Sequence, residues 1–168
     1  FWNLARFAET FLHLINDNEN KSIKIVEELL NKYNEKFDKK WIEMMNKKLN
    51  LDENNHNRDI IKEFLDLMHI YKLDYTNTFL DLENNNLDKN IFNQWIKKYN
   101  KVNKKKYKNI NPKIIPRNHI VEKVLNETVN NNYAPLYKFI ENLNNPYSNK
   151  VNSNFQKGPS EDEKVHQT

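Results

Sequence analysis

The chain has 168 residues, of which 38% are hydrophobic and 30% charged, with a net charge of +4 and a mean hydropathy of −0.98. It is long enough for one domain with a core, and its composition favours a hydrophilic helical protein with disordered joints over a compact α/β enzyme. There is no cysteine and a single glycine, Gly158. Disulfides, thiolate metal sites, a cysteine nucleophile and glycine-rich phosphate loops are therefore excluded for these residues.

Phe1, Leu4, Phe7, Ala8, Phe11, Leu12 and Ile15 recur at helical spacing, which predicts a helix over residues 1–15 buried on more than one side. Arg6 and Glu9 are placed to pair. After a break at Asn16–Asn20, Ser22 is the expected N-cap of a long helix running to about Leu49. Its stripe of Ile23, Val26, Leu30, Tyr33, Phe37, Trp41, Met44, Met45 and Leu49 reads as core. Asp52–Asn57 is expected to be a loop, and Asp59 to cap a helix over Ile60–Tyr71 that carries Ile61, Phe64, Leu65, Met68 and His69. In the stretch Leu73–Leu82 (LDYTNTFLDL), Asp74 or Thr76 is placed to cap a short helix bearing Phe79, Leu80 and Leu82. Asp88 caps the next helix, from about Lys89 to Val102, with Ile91, Phe92, Trp95, Ile96 and Tyr99. Asn111-Pro112 is a turn, and Pro116 prevents regular helix before Arg117. A helix from Arg117 to about Thr128 is expected to bury Ile120, Val124 and Leu125, and to end at Asn130–Asn132. Pro135 opens a last helix, Leu136–Leu143, with Tyr137, Phe139 and Ile140. Residues 1–147 thus form an all-α region of six or seven helices joined by Asn/Lys-rich linkers, and residues 148–168 an extended or disordered tail.

Asn makes up about a fifth of the chain. Because Asn and Lys codons are AT-rich, the individual asparagines carry little weight in this reading. The run Lys97–Lys108 (KKYNKVNKKKYK) interleaves Tyr99 and Tyr107 with lysines. It is expected to be a solvated linker, with a surface for anionic partners as the alternative. Of the five histidines, His13, His56, His69, His119 and His166, none stands in a metal-binding spacing. Arg117, beside a helix start and near the Asn111-Pro112 turn, fits a carboxylate clamp or a carbonyl cap, with an anion site as the alternative. No residue is assigned as catalytic, cofactor-binding or metal-ligating. No apolar run approaches the ~18–20 residues of a membrane helix, and no secretory or transit signal is visible. The chain opens at Phe1-Trp2 inside an apolar pattern without an initiator Met, as expected of a piece of a longer protein.

Five islands in order resemble the C-terminal part of the selenoprotein O family of kinase-like protein adenylyltransferases. They are FWNLARFAE at Phe1–Glu9, WIEMMNKKLNL at Trp41–Leu51, LDYTNTFLDL at Leu73–Leu82, NPKIIPRNH at Asn111–His119 and NNPYSN at Asn144–Asn149. Asn50 stands where the family usually has glycine, Leu80 where it has arginine, and Pro116 where it has an apolar residue. The resemblance implies the helical C-terminal portion of a kinase-like fold. It also implies a parent that transfers AMP from ATP, with Mg²⁺, to Ser, Thr or Tyr of protein substrates, in a bacterial cytoplasm or in mitochondria. The family's nucleotide-binding lysine and its catalytic and metal-binding aspartates lie upstream of the position matching Phe1, so none is carried over. The expected role is to scaffold a catalytic lobe, inactive alone, with the upstream kinase-like region of the same protein as partner. The Phe1–Ile15 segment is expected to expose an apolar patch when that region is absent. The rival reading is an independent helical interaction module that uses Lys97–Lys108. Neither membrane nor nucleic acid is an expected partner.

Overall fold

The structure, a computed structural model, describes residues 1–53, 57–160 and 163. His56, His166 and the corresponding parts of the expected 52–57 loop and C-terminal tail lie outside the described residues. Among the described residues there are eight α-helices and no strand, apart from one isolated bridge between Leu51 and Lys104. The all-α expectation holds, with one helix more than the upper count. The chain divides into two compact units, Phe1–Met45 and Asn46–Thr168.

In the first unit the expected opening helix is split into α1 (Trp2–Glu9) and α2 (Leu12–Ile15). The break is local: Thr10 turns both its N–H and its Oγ1–H back to the Phe7 carbonyl, at 3.2 and 2.7 Å. No residue of either helix is buried, and Trp2 is 70% exposed. Burial on more than one side is thus corrected to an exposed apolar face of Phe1, Trp2, Phe7, Phe11 and Leu14. The Arg6–Glu9 pair forms. Helix α3 (Glu19–Lys48) is the expected long helix, but its cap is Asn18, whose Oδ1 accepts from the Lys21 N–H at 3.2 Å. Ser22 lies inside the helix instead, buried, with its hydroxyl donating to the Asn16 carbonyl. Tyr33 and Phe37, expected in the core, are exposed and stacked on one another at 6.1 Å. Four-residue spacing identifies a shared helix face, and that face is apolar whether or not a partner covers it.

The second unit contains α4 (Arg58–Ile70), α5 (Tyr75–Glu83), α6 (Lys89–Tyr99), α7 (Asn118–Val129) and α8 (Ala134–Asn144). Helices α4 and α6 pack together, as do α7 and α8. Phe64, with no exposed surface, is the hub of the first pairing. Its ring lies 5.3 Å from Phe79, 5.3 Å from Phe92 and 4.7 Å from Trp95. Aromatic side chains at this separation add edge and offset contacts to the area they remove from water. The two polar tips in this core are satisfied: Trp95 Nε1 donates to the Ile60 carbonyl at 2.8 Å, and Tyr99 Oη to that of Leu49 at 2.7 Å.

Asp59 does not cap α4. It sits in the first turn, and Asn57 occupies the cap position without a side-chain bond to the helix. The Asn57 amide closes the preceding loop instead, donating to Asn46 Oδ1 at 3.0 Å and to the Asp52 carbonyl at 2.9 Å. The second core cluster joins Ile114, Ile120, Val124 and Phe139, with Val151 and Phe155 packed against it. Leu125, Tyr137 and Ile140, expected inside, are exposed. Two short helices paired along one seam cover a narrow stripe, so flanking apolar positions stay outside. Past Tyr147, expected to be extended or disordered, Ser153–Phe155 forms a turn of 3-10 helix and Phe155 meets Phe139 at 5.0 Å.

Four helices end in the same way, and here the asparagines matter. Asn50, Lys72, Asn85 and Asn131 have φ of 53°, 49°, 58° and 62°. In each case that residue's N–H and the next one's turn back to close the last turn: Asn50 to Lys47 and Leu51 to Asn46, Lys72 to His69 and Leu73 to Met68, Asn85 to Leu82 and Asn86 to Asp81, Asn131 to Thr128 and Asn132 to Glu127. This closure needs a left-handed residue just past the helix, normally glycine and next most readily asparagine. A chain with one glycine uses asparagine there, so discounting the asparagines individually is corrected at these positions. Lys72 breaks the rule without a compensating role, being exposed. Lys72→Gly is expected to raise stability by about 0.5–1 kcal/mol, read as a Tm increase of about 1–4 °C. An unchanged or lower Tm would show that the left-handed turn carries no strain.

Candidate functional site

Helix α5 begins at Asp74, as one of the two expected caps. The Asp74 Oδ1 accepts the Asn77 N–H at 2.8 Å, and Thr78 Oγ1 donates to the Asp74 carbonyl at 2.7 Å. Phe79, Leu80 and Leu82 are then buried, as their spacing requires. Thr76 does not act as the cap.

The same carboxylate has a second task. Arg117 reaches it with both terminal nitrogens, NH1 to Oδ2 at 2.5 Å and NH2 to Oδ1 at 2.8 Å, and NH2 also donates to Asn77 Oδ1 at 3.3 Å. The Arg117 side chain is only 8% exposed and that of Asp74 28%. Arg117 is thus a carboxylate clamp; among the alternatives at this position, the bidentate fork supports the structural one. Its Nε is buried without a hydrogen-bond partner among the described residues. Arginine is a poor residue for the start of a helix, and its charge opposes the positive end of the helix dipole. Arg117 nevertheless occupies the cap position of α7 with no side-chain bond to that helix, because its side chain is committed to α5.

Pro116 aims it. The Arg117 N–H donates to the Ile115 carbonyl at 2.9 Å, a three-residue γ-turn centred on a proline whose ring presets the required φ. The Asn111-Pro112-Lys113 turn is tied down at both ends. Asn111 Nδ2 donates to the Lys48 carbonyl at 2.9 Å, and the Lys113 N–H to the Pro146 carbonyl at 2.7 Å, while Lys113 Nζ meets Asn149. Lys48 Nζ lies over the Phe79 ring at 4.9 Å and that of Tyr75 at 5.6 Å, and burial lowers its pKa. The islands ending in Lys48–Leu51, at Leu73–Leu82, at Asn111–His119 and at Asn144–Asn149 therefore converge on one junction. The sequence marked them as separate segments. Their meeting, and the parts of Lys48 and Asn77 in it, had no signal in spacing.

Burial alone would raise the Asp74 pKa. The Arg117 hydrogen bonds, the Asn77 N–H and the guanidinium charge outweigh it and hold the carboxyl below its ordinary 3.8. A folded-state pKa below the unfolded one gives stability that is fully present above about pH 4 and lost as pH falls through the lower folded value. Thermal midpoints should therefore fall steeply below about pH 4, and Asp74→Asn should flatten that fall. An identical acid profile for the two proteins would separate acid sensitivity from this pair.

The junction offers no nucleophile next to a base. Among the described residues no three Asp, Glu or His side chains converge as a cation cage, and Gly158 stands alone. The basic run Lys97–Lys108 is pinned rather than free: Asp52 N–H donates to the Asn103 carbonyl and Lys105 N–H to that of Asn50, each at 3.1 Å, and Asn50 Oδ1 accepts from the Tyr107 N–H. Lys98 is held by Glu63 at 2.8 Å, and Lys104 Nζ covers the Tyr99 ring at 4.3 Å. With Tyr99 buried, this run lacks the pair of open rings that base stacking would use.

The family model for protein adenylyltransferase SelO matches residues 1–144. The chain belongs to the SelO family. Among curated relatives, the protein nucleotidyltransferase YdiU of Bacillus cereus (strain AH820) is 34% identical over 165 residues, covering 88% of this chain and 34% of the relative. The YdiU protein of Lachnoclostridium phytofermentans is 35% identical over 176 residues, covering 94% and 36%. That of Bacillus thuringiensis (strain Al Hakam) is 37% identical over 165 residues, covering 88% and 34%. The chain spans about a third of the length of the curated relatives it matches. The SelO match contains Lys48, Asp74, Asn77, Asn111 and Arg117 of the junction.

Proposed function

We propose that this chain is the helical scaffold of a SelO-like protein adenylyltransferase, a protein that transfers AMP from ATP to hydroxyls of protein substrates. On this reading ATP and Mg²⁺ are held by an upstream kinase-like region of the same protein, and these helices support that region without reacting. The observation that carries the reading is the convergence of four family-like islands on a junction held by an ion pair, a helix cap and backbone hydrogen bonds. The exposed apolar face of α1 and α2 suits packing against further protein.

The test is label transfer from ATP carrying radioactive α-phosphate to protein. It should be run on this chain alone and on the longest open reading frame that contains it. Label is expected only with the longer protein. Label from the chain alone would overturn the scaffold role, and none from the longer protein would overturn adenylyl transfer.

A further inference from the structure

Residues 151–158 lie across the junction rather than leading away from it. Asn152 N–H donates to Asn142 Oδ1 on α8 at 2.8 Å, and Phe155 packs on Phe139. The Gln156 carbonyl accepts from Asn77 Nδ2 at 3.1 Å, and a side chain built on Gly158 would lie 3.6 Å from Asp74 Oδ2. Further on, Glu163 meets Lys123 of α7. The segment therefore touches α5 and α8, packs on the core cluster of α7 and α8, and runs beside the carboxylate that Arg117 clamps.

Its anchors are few and small. Val151 and Phe155 are half-buried, while Ser153, Asn154, Lys157 and Gly158 are exposed. Beside its first residues a groove lined by Lys138, Glu141, Asn145, Ser148 and Lys150 stays open. A segment held by one ring and isolated hydrogen bonds opens at a lower free energy than a helix packed in the core. The carboxylate beneath it does not depend on it for its own hydrogen bonds, since Arg117 and Asn77 N–H supply them.

We propose that residues 151–158 form a releasable strap that closes over the Asp74–Arg117 junction and opens while the α4–α6 and α7–α8 pairs stay folded. The strap is a conformational device. Closed, it is tied to Asn77 and runs beside the Asp74 carboxylate; open, it uncovers the α5 start and that carboxylate further.

The test uses the full chain and two variants, Phe155→Ala, which removes the ring anchor, and Asn142→Ala, which removes an acceptor from a half-buried position of α8. Two readouts are needed: trypsin cleavage after Lys157 in the native protein, and solvent exchange of the buried Arg117 Nε–H by nuclear magnetic resonance. In both variants cleavage and exchange should quicken about tenfold or more, while amides of Phe64 and Trp95 keep their protection. The proposal is overturned if cleavage after Lys157 occurs only on global unfolding. It is also overturned if Asn142→Ala leaves both rates unchanged, or if Arg117 Nε–H exchange ignores the strap.

Discussion

Asp74→Ala is expected to destabilise the protein by about 3–5 kcal/mol, the largest effect of any single polar substitution here. Two losses combine. The Arg117 guanidinium, with a side chain only 8% exposed, is left as a buried charge without a counter-charge, a change that typically costs about 3–5 kcal/mol. Helix α5 also loses the acceptor for its Asn77 N–H, typically about 1 kcal/mol, which the 28% exposure of the Asp74 side chain offsets by letting water reach the site. Removing the other partner is gentler. Arg117→Met leaves Asp74 capping α5 and partly in contact with water, so a cost of about 1–3 kcal/mol is expected. The double variant should be more stable than the sum of the two, because no charge is then stranded. Urea unfolding of all four proteins checks this through the midpoint at constant slope. An Asp74→Ala midpoint within about 0.5 kcal/mol of the parent would mean that Arg117 finds water in the folded state. Against a total stability of about 5–15 kcal/mol, a cost of the expected size brings the scaffold near unfolding.

Phe64→Ala should cost about as much, about 3–5 kcal/mol, by a different route. The ring has no exposed surface and contacts Phe79 of α5 and Phe92 and Trp95 of α6. Truncation opens a cavity among those rings. Phe64→Leu should cost distinctly less, since most of the volume is kept. Leu125→Ala, at an exposed apolar position of α7, should change stability by less than about 0.5 kcal/mol. Calorimetric midpoints of the three variants decide the matter. Equal losses for Phe64→Ala and Leu125→Ala would contradict the burial pattern.

The two predictions divide along the line between local and long-range information. Asp74 as a cap is a local property: an acid three residues before a free N–H, ahead of an apolar run. Asp88 was legible for the same reason, and its carboxylate accepts from the Asn90 N–H at 2.8 Å. Asp59 and Ser22 carried the same kind of signal and do not cap. Asn57 and Asn18 stand at the helix starts instead, and a cap residue alone does not fix which of several polar positions the first turn selects. The left-handed asparagines were legible only in part. Asn50 stood out as a substitute for glycine, whereas Asn85 and Asn131 were hidden among so many asparagines that composition masked their geometry.

Apolar periodicity determined the helices and their faces, because each depends on residues three and four apart along the chain. It could not say which faces are covered, and Tyr33, Phe37, Leu125 and Tyr137 remain outside. The sequence by itself thus determined an all-α chain, most helix positions, the α6 cap and membership of the SelO family, and narrowed the α5 cap to Asp74 or Thr76. Only the tertiary structure decided that Arg117 serves Asp74, 43 positions away, and that residues 151–158 are tied to Asn77 and run beside Asp74. Contacts over such separations depend on how helices pack, and no short-range pattern encodes the packing.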